Sequence, residues 1–287
     1  MILNKVKLGL KRMDESILNG EIKKYHSRHI KYRGKAYVLT EDLFFPPHDS
    51  ANKNVRFGPA GELLAIGGDL SAERLIQAYK KGIIPAFFKD EPILWWTSGI
   101  RCVLFPKDLH ISKSMQRIIR KNNFRLTVDK AFPDVVSACS EMRKDYTWLT
   151  PDRIAAVCKL HELGIAHSVE VWQDEKLVGG EFGVAFGSYV HIESMFARVD
   201  NASKFADIAL ALRLGELNCS LIDGGIWPTE HQKSLGTVII QRAEFLEILA
   251  QSLQEPDIVI QWGNLFENWD LMLAVKNHLA GEQPSPG

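Results

Sequence analysis

A strongly marked helix that leads into a long run of strands constrains the fold of this chain more than any other feature of its sequence. Thr150 is a typical N-cap, Pro151 suits the first helical position and Gly164 ends the helix. Residues 167–196 then read as two or three strands, with a turn at residues 173–176 and glycines where backbones pass closely. The pattern predicts an α/β (α+β) fold.

Weaker signals extend this alternation in both directions. Ser71 caps an earlier helix that has Leu75, Ile76 and Tyr79 as its buried stripe and Gly82 at its end. No internal repeat is visible. The later elements are expected, in chain order, as a strand at 101–106, a helix within 111–124, a helix at 203–214, strands at 220–224 and 237–240, and a helix from residue 242 onward.

The order of strands and helices from residue 101 onward resembles the acetyltransferase-type (GNAT-like) fold, which has a mixed central sheet. Members that use coenzyme A hold its pyrophosphate on a glycine-containing loop at a helix N-terminus. The corresponding turn, residues 198–204, has no glycine, so the resemblance implies a different acyl donor. The predicted regions are a basic N-terminal extension at 1–40, a small N-terminal α/β domain at 41–100, a GNAT-like transferase domain at 101–255, and a C-terminal helix with a disordered tail at 256–287.

Charge is informative only where it clusters, because 35 basic residues balance 35 acidic ones. Residues 1–40 are basic, and a solvated extension is favoured there over a nucleic-acid contact. Four cations, Lys113, Arg117, Arg120 and Lys121, share one side of a predicted helix. For that helix an ordinary solvated face and a nucleic-acid contact are equally well supported by the residues alone.

Several classes of protein lack support in the sequence. The four cysteines are far apart and form no CxxC pair, which argues against a zinc ribbon or a disulfide framework and favours a reducing cytoplasm. No apolar run is long enough to span a membrane. HExxH, GxSxG, GxxxxGK[ST] and GxGxxG motifs are all absent, so neither a metal nor an organic cofactor is expected.

The segment LIDGGIWPTEHQKSLG contains the most notable acid of the chain. Asp223 ends a short apolar strand and precedes two glycines. Because acids often stand at strand ends before such turns, these residues alone favour a structural reading over a catalytic one.

Nine segments, taken together, resemble the bacterial leucyl/phenylalanyl-tRNA-protein transferase family. The resemblance runs in the family's order from about residue 45 to 249, over roughly 70% of the chain. It implies transfer of Leu, Phe or Met from aminoacyl-tRNA to a protein's N-terminal Arg or Lys, which marks that protein for N-end rule degradation. The segments are LLAIGGDLS, AYKKGIIP, PILWW, LHISKSM, TWLT, LHELGIAHSVEVW, LVGGEFGVAFG, ESMFARVDNASK and EHQKSLG.

The resemblance also implies roles for individual residues. Asp223 and Glu193 match the family's two acids, which handle the attacking amine and the acceptor's N-terminus. The basic cluster Lys113, Arg117, Arg120 and Lys121 matches the grip on the tRNA acceptor end, and His231 matches a further position that braces a loop. The positions that match the donor side of the site are Trp148, Glu181, Asp207, Leu210, Leu214, Ile222, Gly225 and Ala86.

Some of these positions depart from the family's pattern. Gly225 replaces a glutamine, Ala86 replaces a tryptophan, and Ile192 replaces a glycine. Glu181 and Asp207 stand where relatives have apolar pocket residues, and an unpaired buried carboxylate is costly. The departures suggest a donor with a polar or basic side chain. The alternatives left open are a relative that binds tRNA or protein N-termini without turnover, and a GNAT-like enzyme with another acyl donor.

Overall fold

The chain divides into two compact units, Met1–Gly99 and Ile100–Gly287. Most of the predicted basic extension and of the predicted disordered tail lies outside the described residues, and the predicted domain bounds stay predictions. The computed structural model describes residues 36–121, 123–143, 147–227, 229–259 and 261–281.

The first unit contains a sheet in the order β1-β3-β5-β4, with β2 paired to β3. Strands β1 and β3 are parallel, and the other pairs are antiparallel. Its core includes Trp95 and Trp96, which are fully buried. The elements are β1 Tyr37–Leu39, β2 Asn52–Phe57, β3 Gly61–Gly67, α1 Ala72–Tyr79, β4 Ile84–Pro85 and β5 Leu94–Ser98.

Helix α1 begins at the predicted cap, where the Ser71 hydroxyl accepts a hydrogen bond from the backbone N–H of Arg74. Its buried stripe differs from the predicted one, because Ile76 is only half-buried while Arg74 is fully buried. The Arg74 guanidinium donates to the carbonyl of Thr40 at 2.8 Å and to Asp69 at 3.1 Å. These bonds to Nη2 stabilise a buried cation that periodicity alone does not reveal.

The second unit is built on a seven-stranded sheet in the order β12-β6-β11-β10-β9-β8-β7. Only the β10–β11 pair is parallel, so the predicted mixed sheet and α+β class are confirmed for the described residues. The strands are β6 Ile100–Leu104, β7 Arg125–Val128, β8 Ala166–Gln173, β9 Lys176–Phe186, β10 Tyr189–Ala197, β11 Leu221–Asp223 and β12 Val238–Gln241.

The strongest sequence signal of the second unit is confirmed. Helix α4 begins after Thr150, whose hydroxyl accepts from the N–H of Arg153, and Gly164 follows its end with a positive φ of 69°. No helix among the described residues is long and apolar enough to cross a bilayer. The helices are α2 Lys113–Lys121, α3 Phe132–Glu141, α4 Pro151–Glu162, α5 Ala202–Glu216, α6 Glu230–Ser234, α7 Arg242–Ser252 and α8 Leu271–Ala280.

Helices α3 and α5 pack on opposite faces of the seven-stranded sheet, which β9 shows most directly. A Cβ added at Gly179 would lie 2.5 Å from the Cβ of Ala202 in α5, while one added at Gly180 would lie 3.5 Å from Val135 in α3. Because successive strand residues point to opposite faces, odd-numbered residues of this part of β9 face α5 and even-numbered ones face α3. Gly179 thus allows α5 to lie close to the strand, whereas a Cβ at Gly180 would meet the carbonyl of Val169 in β8, 2.5 Å away.

Candidate active site

Asp223, at the end of β11, is the centre of a fully buried polar network. Arg101 donates to both carboxylate oxygens, from Nε and from Nη2, each at 2.7 Å. The Tyr189 hydroxyl donates at 2.6 Å, and Nδ1 of His191 lies 3.0 Å from Oδ2. The backbone N–H of Gly225 donates to Oδ1 at 2.8 Å. The carboxylate therefore has five hydrogen-bonding partner atoms.

These neighbours fix the charge of Asp223. Burial alone would raise the pKa of this carboxyl, but Arg101 and His191 lower it far below its usual range. Burial likewise opposes the charged form of His191, yet the carboxylates of Asp223 and Glu193 raise its pKa to about 9. Asp223 is therefore an anion, and His191 is an imidazolium at neutral pH.

Glu193 joins the same network through His191. Its Oε1 accepts from Nη2 of Arg153 at 3.1 Å, and its Oε2 lies 3.5 Å from Nε2 of His191. The β9–β10 register shifts between Ile192 and Ser194, so Glu193 occupies a β-bulge. The two acids predicted from the sequence thus lie on one continuous chain of charges, Asp223–His191–Glu193–Arg153.

The arrangement defines what the two acids can do. Both side chains are almost inaccessible to solvent, with exposed fractions of 0% for Asp223 and 2% for Glu193. An anion with such a low pKa is a poor proton acceptor at neutral pH. Asp223 is suited to fixing the positions and charges of Arg101 and His191.

Glu181 lies on the other face of the sheet. In the antiparallel β9–β10 pair, His191 is opposite Val184, an even-numbered residue of β9, whereas Glu181 faces α5. Leu210 of α5, Ile192 and Glu181 line a small cavity of about 10 Å³, room for about one water. Of the eight residues predicted for the donor side, two, Glu181 and Leu210, line this cavity.

The carboxyl of Glu181 has an unusual environment. It is 1% exposed, and neither oxygen accepts a hydrogen bond from a described residue. Burial, followed by the nearby negative charge of Asp207, raises its pKa well above the usual range. Asp207 is itself bonded to Nε2 of His231 at 2.5 Å. A protonated Glu181 carries no charge that needs a donor, and its own O–H can donate to the carboxylate of Asp207.

The comparisons with known proteins agree on one family. A model described as leucyl/phenylalanyl-tRNA protein transferase matches residues 103–250, about half of the chain, and the model of that family's N-terminal domain matches residues 68–99. The chain belongs to the leucyl/phenylalanyl-tRNA protein transferase family. The resemblance noted in the sequence is thereby confirmed.

Three relatives named leucyl/phenylalanyl-tRNA–protein transferase illustrate the similarity. The Flavobacterium johnsoniae protein is 48% identical over 74% of this chain and 98% of its own length. Those of Syntrophobacter fumaroxidans and Pseudomonas fluorescens are each 46% identical, over 76% and 77% of this chain and 92% and 96% of their own lengths. A solved protein of unknown function from Bacteroides thetaiotaomicron has a TM-score of only 0.35 at 13% identity, covering 71% of this chain and 75% of its own.

The remaining predicted donor-side residues of the second unit lie in different surroundings. Leu214 and Ile222 belong to the hydrophobic core beneath α5, together with Leu210. Trp148 packs edge-on against Trp227 at 6.1 Å, with the Arg143 guanidinium 4.8 Å from its ring.

Two of the positions that depart from the family pattern have simple structural roles. Gly225 follows the Asp223 network with a positive φ of 87°, and a Cβ there would meet no atom within 4 Å. Space for a larger side chain therefore exists, although the backbone conformation favours glycine. Ala86 lies in the first unit, where its carbonyl accepts from Nε1 of Trp96 at 2.6 Å.

The basic face predicted for α2 lies at the protein surface. All four of its cations are exposed, and none forms an ion pair with an acidic residue in the described parts of the chain. A helix face with unneutralised charge is suited to phosphate contacts. The cations are Lys113, Arg117, Arg120 and Lys121.

One group among the described residues has ligand atoms close enough to hold a metal, namely Asp129, His161 and His167. Nδ1 of His167 is bonded to Asp129 at 2.7 Å, and Nδ1 of His161 to the carbonyl of Ala166 at 2.8 Å. The ring nitrogens that face the group thus already have protein partners. The expectation of no metal stays a prediction.

Sequence reasoning missed four members of the Asp223 network, namely Arg101, Arg153, Tyr189 and His191. His191 carries a signal that could have been read, since Tyr189, His191 and Glu193 are two residues apart on one strand and so share a face. No comparable local signal marks Arg101 or Arg153, whose partners are distant in sequence.

Proposed function

We propose that this chain transfers an aminoacyl group from aminoacyl-tRNA to the α-amino group of a protein's N-terminal residue. The observation that carries the proposal is the Asp223–His191–Glu193 network, which lies at the centre of the sheet within the family-matched residues. We further propose, from the resemblance to the family, acceptors that begin with Arg or Lys, a cytoplasmic role in N-end rule degradation, and no requirement for a metal or cofactor.

The reaction needs positioning more than it needs a strong base. The amine nitrogen attacks the ester carbonyl, a peptide bond forms, and the tRNA 3′ oxygen leaves with the proton that the amine gives up. An α-amine has a pKa of about 7.7–8.0, so a useful neutral fraction exists near neutral pH. A rigid site that holds both reactants and stabilises the oxyanion can supply most of the acceleration.

The network supports this proposal as a fixed electrostatic scaffold. Its named members carry three positive charges, on Arg101, Arg153 and His191, against the two carboxylates. These three cations, held in place by the two carboxylates, favour a developing oxyanion nearby. Both acids are already paired with arginines, so the acceptor's own cation has to be met by other groups.

A binding-only relative is the second candidate. It is favoured by Gly225 and Ala86, which lack the side chains of the family pattern, and by the burial of both acids. Such a protein would retain tRNA or protein N-termini without forming a peptide bond.

The deciding experiment offers separately charged, radiolabelled tRNAs to the full chain with a reporter that begins with Arg or Lys. We expect label in the reporter, with less preference for Leu and Phe than the named relatives have, because Glu181 and Asp207 place carboxyls where the family pattern has apolar donor-pocket residues. A Leu and Phe preference equal to theirs contradicts the altered donor, and retained tRNA without transfer supports binding alone.

The α2 cations predict a defined salt dependence of tRNA binding. Changing Arg117 and Arg120 together to Ala should flatten the slope of log K against log salt by about one unit for each phosphate that the variant no longer neutralises. Fluorescence anisotropy at several salt concentrations measures it. Lys53→Ala, an exposed change in β2, is the control and should leave the slope unaltered. An unchanged slope in the double variant would mean that the basic face of α2 is an ordinary solvated surface and does not contact tRNA phosphates.

A further inference from the structure

A cleft of about 700 Å³ opens where the edge strand β7 meets α5 and the C-terminal segment before α8. The volume is typical of sites that bind small ligands or single residues of a larger one. Phe266, Trp269 and Met272 line one side and lie beyond residue 250, where the family model ends. The cleft is therefore partly built from residues outside the family match.

Five aromatic side chains line this cleft, and hydrogen bonds fix two of them. The indole N–H of Trp172 donates to the Thr127 hydroxyl at 2.7 Å, and that of Trp269 donates to Glu216 at 2.8 Å. Phe266 stacks on Trp269 with ring centroids 5.3 Å apart. Both indole N–H groups already have partners, and the Arg125 guanidinium lies over one face of Trp172, 5.4 Å from the ring centroid. Each tryptophan can therefore offer a ligand one ring face. Phe124 and Phe205 complete the aromatic set.

Two of the three carboxylates at the cleft already have partners. Glu175 is paired with Arg125 at 3.2 Å. Asp270 caps α8 by accepting from two backbone N–H groups, at 2.8 and 3.1 Å. Neither Asp174 nor Asp270 makes an ion pair with a described residue. Among the described residues that line the cleft, three carboxylates face one cation, Arg125, so the lining repels a phosphate and suits an uncharged planar group better.

Positive charge lies directly beside the cleft. Ile119 of α2 lines it, and the exposed cations Arg120 and Lys121 follow in the same helix. Aromatic faces next to a cationic track are how proteins bind single-stranded nucleic acid, with bases on the rings and phosphates on the cations.

We propose that this cleft binds an unpaired nucleobase of an RNA strand whose phosphates lie along α2. The inference rests on the proposed function, since it adds a second contact to the tRNA that the enzyme uses. It assigns the C-terminal segment, which forms part of the cleft, a role in RNA binding that is separate from the Asp223 network.

The test measures binding of fluorescently labelled, single-stranded hexaadenylate RNA to the full chain by anisotropy. Trp172→Ala should raise the Kd roughly fivefold to a hundredfold, the range for loss of one base stack. Trp172→Phe keeps the ring face but not the bond to Thr127, so it should restore most of the affinity. Met272→Glu, at a residue that is 40% exposed, should weaken binding without threatening the fold. Phe44→Ala, at an exposed aromatic residue of the first unit, is the control and should leave the Kd unchanged.

The outcomes separate this inference from the proposed function. An unchanged Kd in Trp172→Ala and Met272→Glu overturns the nucleobase site, even if the enzyme transfers aminoacyl groups normally. Equal losses in Trp172→Phe and Trp172→Ala overturn it in favour of a purely structural tryptophan. Binding of a tetralysine peptide that Trp172→Ala weakens, without an effect on hexaadenylate, overturns it in favour of a cationic ligand. Hexaadenylate binding that depends on Trp172 supports the site even if no aminoacyl transfer occurs.

Discussion

Replacing Asp223 by Ala is expected to destabilise the protein by about 3–5 kcal/mol and to reduce aminoacyl transfer at least a hundredfold. The variant leaves Arg101 and His191 buried without their shared counter-ion. Urea unfolding of the full chain measures the first effect, and the transfer assay measures the second. Glu230→Ala, which breaks an exposed pair with Lys233, is the matched control and should change stability by less than about 0.5 kcal/mol.

Two further comparisons test whether the charges of this network are coupled and buried as described. Arg101→Met combined with Asp223→Leu removes both charges, so the double variant should lose much less stability than the sum of the single ones. Additive losses would mean that the two charges are not coupled. A loss in Asp223→Ala no larger than that in Glu230→Ala would contradict the buried network altogether.

The pH dependence of stability tests the charge of His191. Its pKa is about 9 in the folded protein and 6.5 as an unperturbed group. The folded state therefore holds a proton that the unfolded state has released between these values. The stabilisation is complete below pH 6.5, is lost as the pH rises through 9, and amounts to about 3 kcal/mol. In Asp223→Ala this alkaline loss should shrink, because the main counter-charge is absent.

The sequence predicted those features of this protein that depend on neighbours along the chain. The cap at Thr150 and the stop at Gly164 define α4 because both act within one helical turn. The β8–β9 turn at residues 173–176 is confirmed for the same reason. The association of Asp223 with Glu193 was available only through the family resemblance, since it depends on the pairing of β10 with β11.

What the sequence could not provide is how buried charges are compensated. Arg101 looks like an ordinary strand residue, yet it is buried because Asp223, 122 positions later, lies beside it in the sheet. Glu181 and Glu170 read alike in sequence, as single acids in apolar strands. Only the tertiary neighbours distinguish them. Hydrogen-bond donors surround the Glu170 carboxyl, whereas the carboxyl of Asp207 lies beside that of Glu181.

That difference predicts opposite effects of the same substitution. Glu181→Met should stabilise the protein by about 1–3 kcal/mol, because it replaces a buried carboxyl that has no described donor with an apolar chain of similar length. Glu170→Met should destabilise it by about 2–5 kcal/mol, because it strands the donors Thr127, Ser168 and the N–H of Ala131. Urea unfolding of both variants decides the matter.

The gain in Glu181→Met should also depend on pH. Folded Glu181 keeps its proton above the usual glutamate range, whereas the unfolded chain has released it, so this residue lowers wild-type stability as the pH rises. The advantage of Glu181→Met should therefore grow as the pH rises above the usual glutamate range. In the transfer assay, Glu181→Met should shift the donor preference toward Leu and Phe. A stability gain without that shift would mean that Glu181 is a buried structural acid and that the donor side chain is read elsewhere.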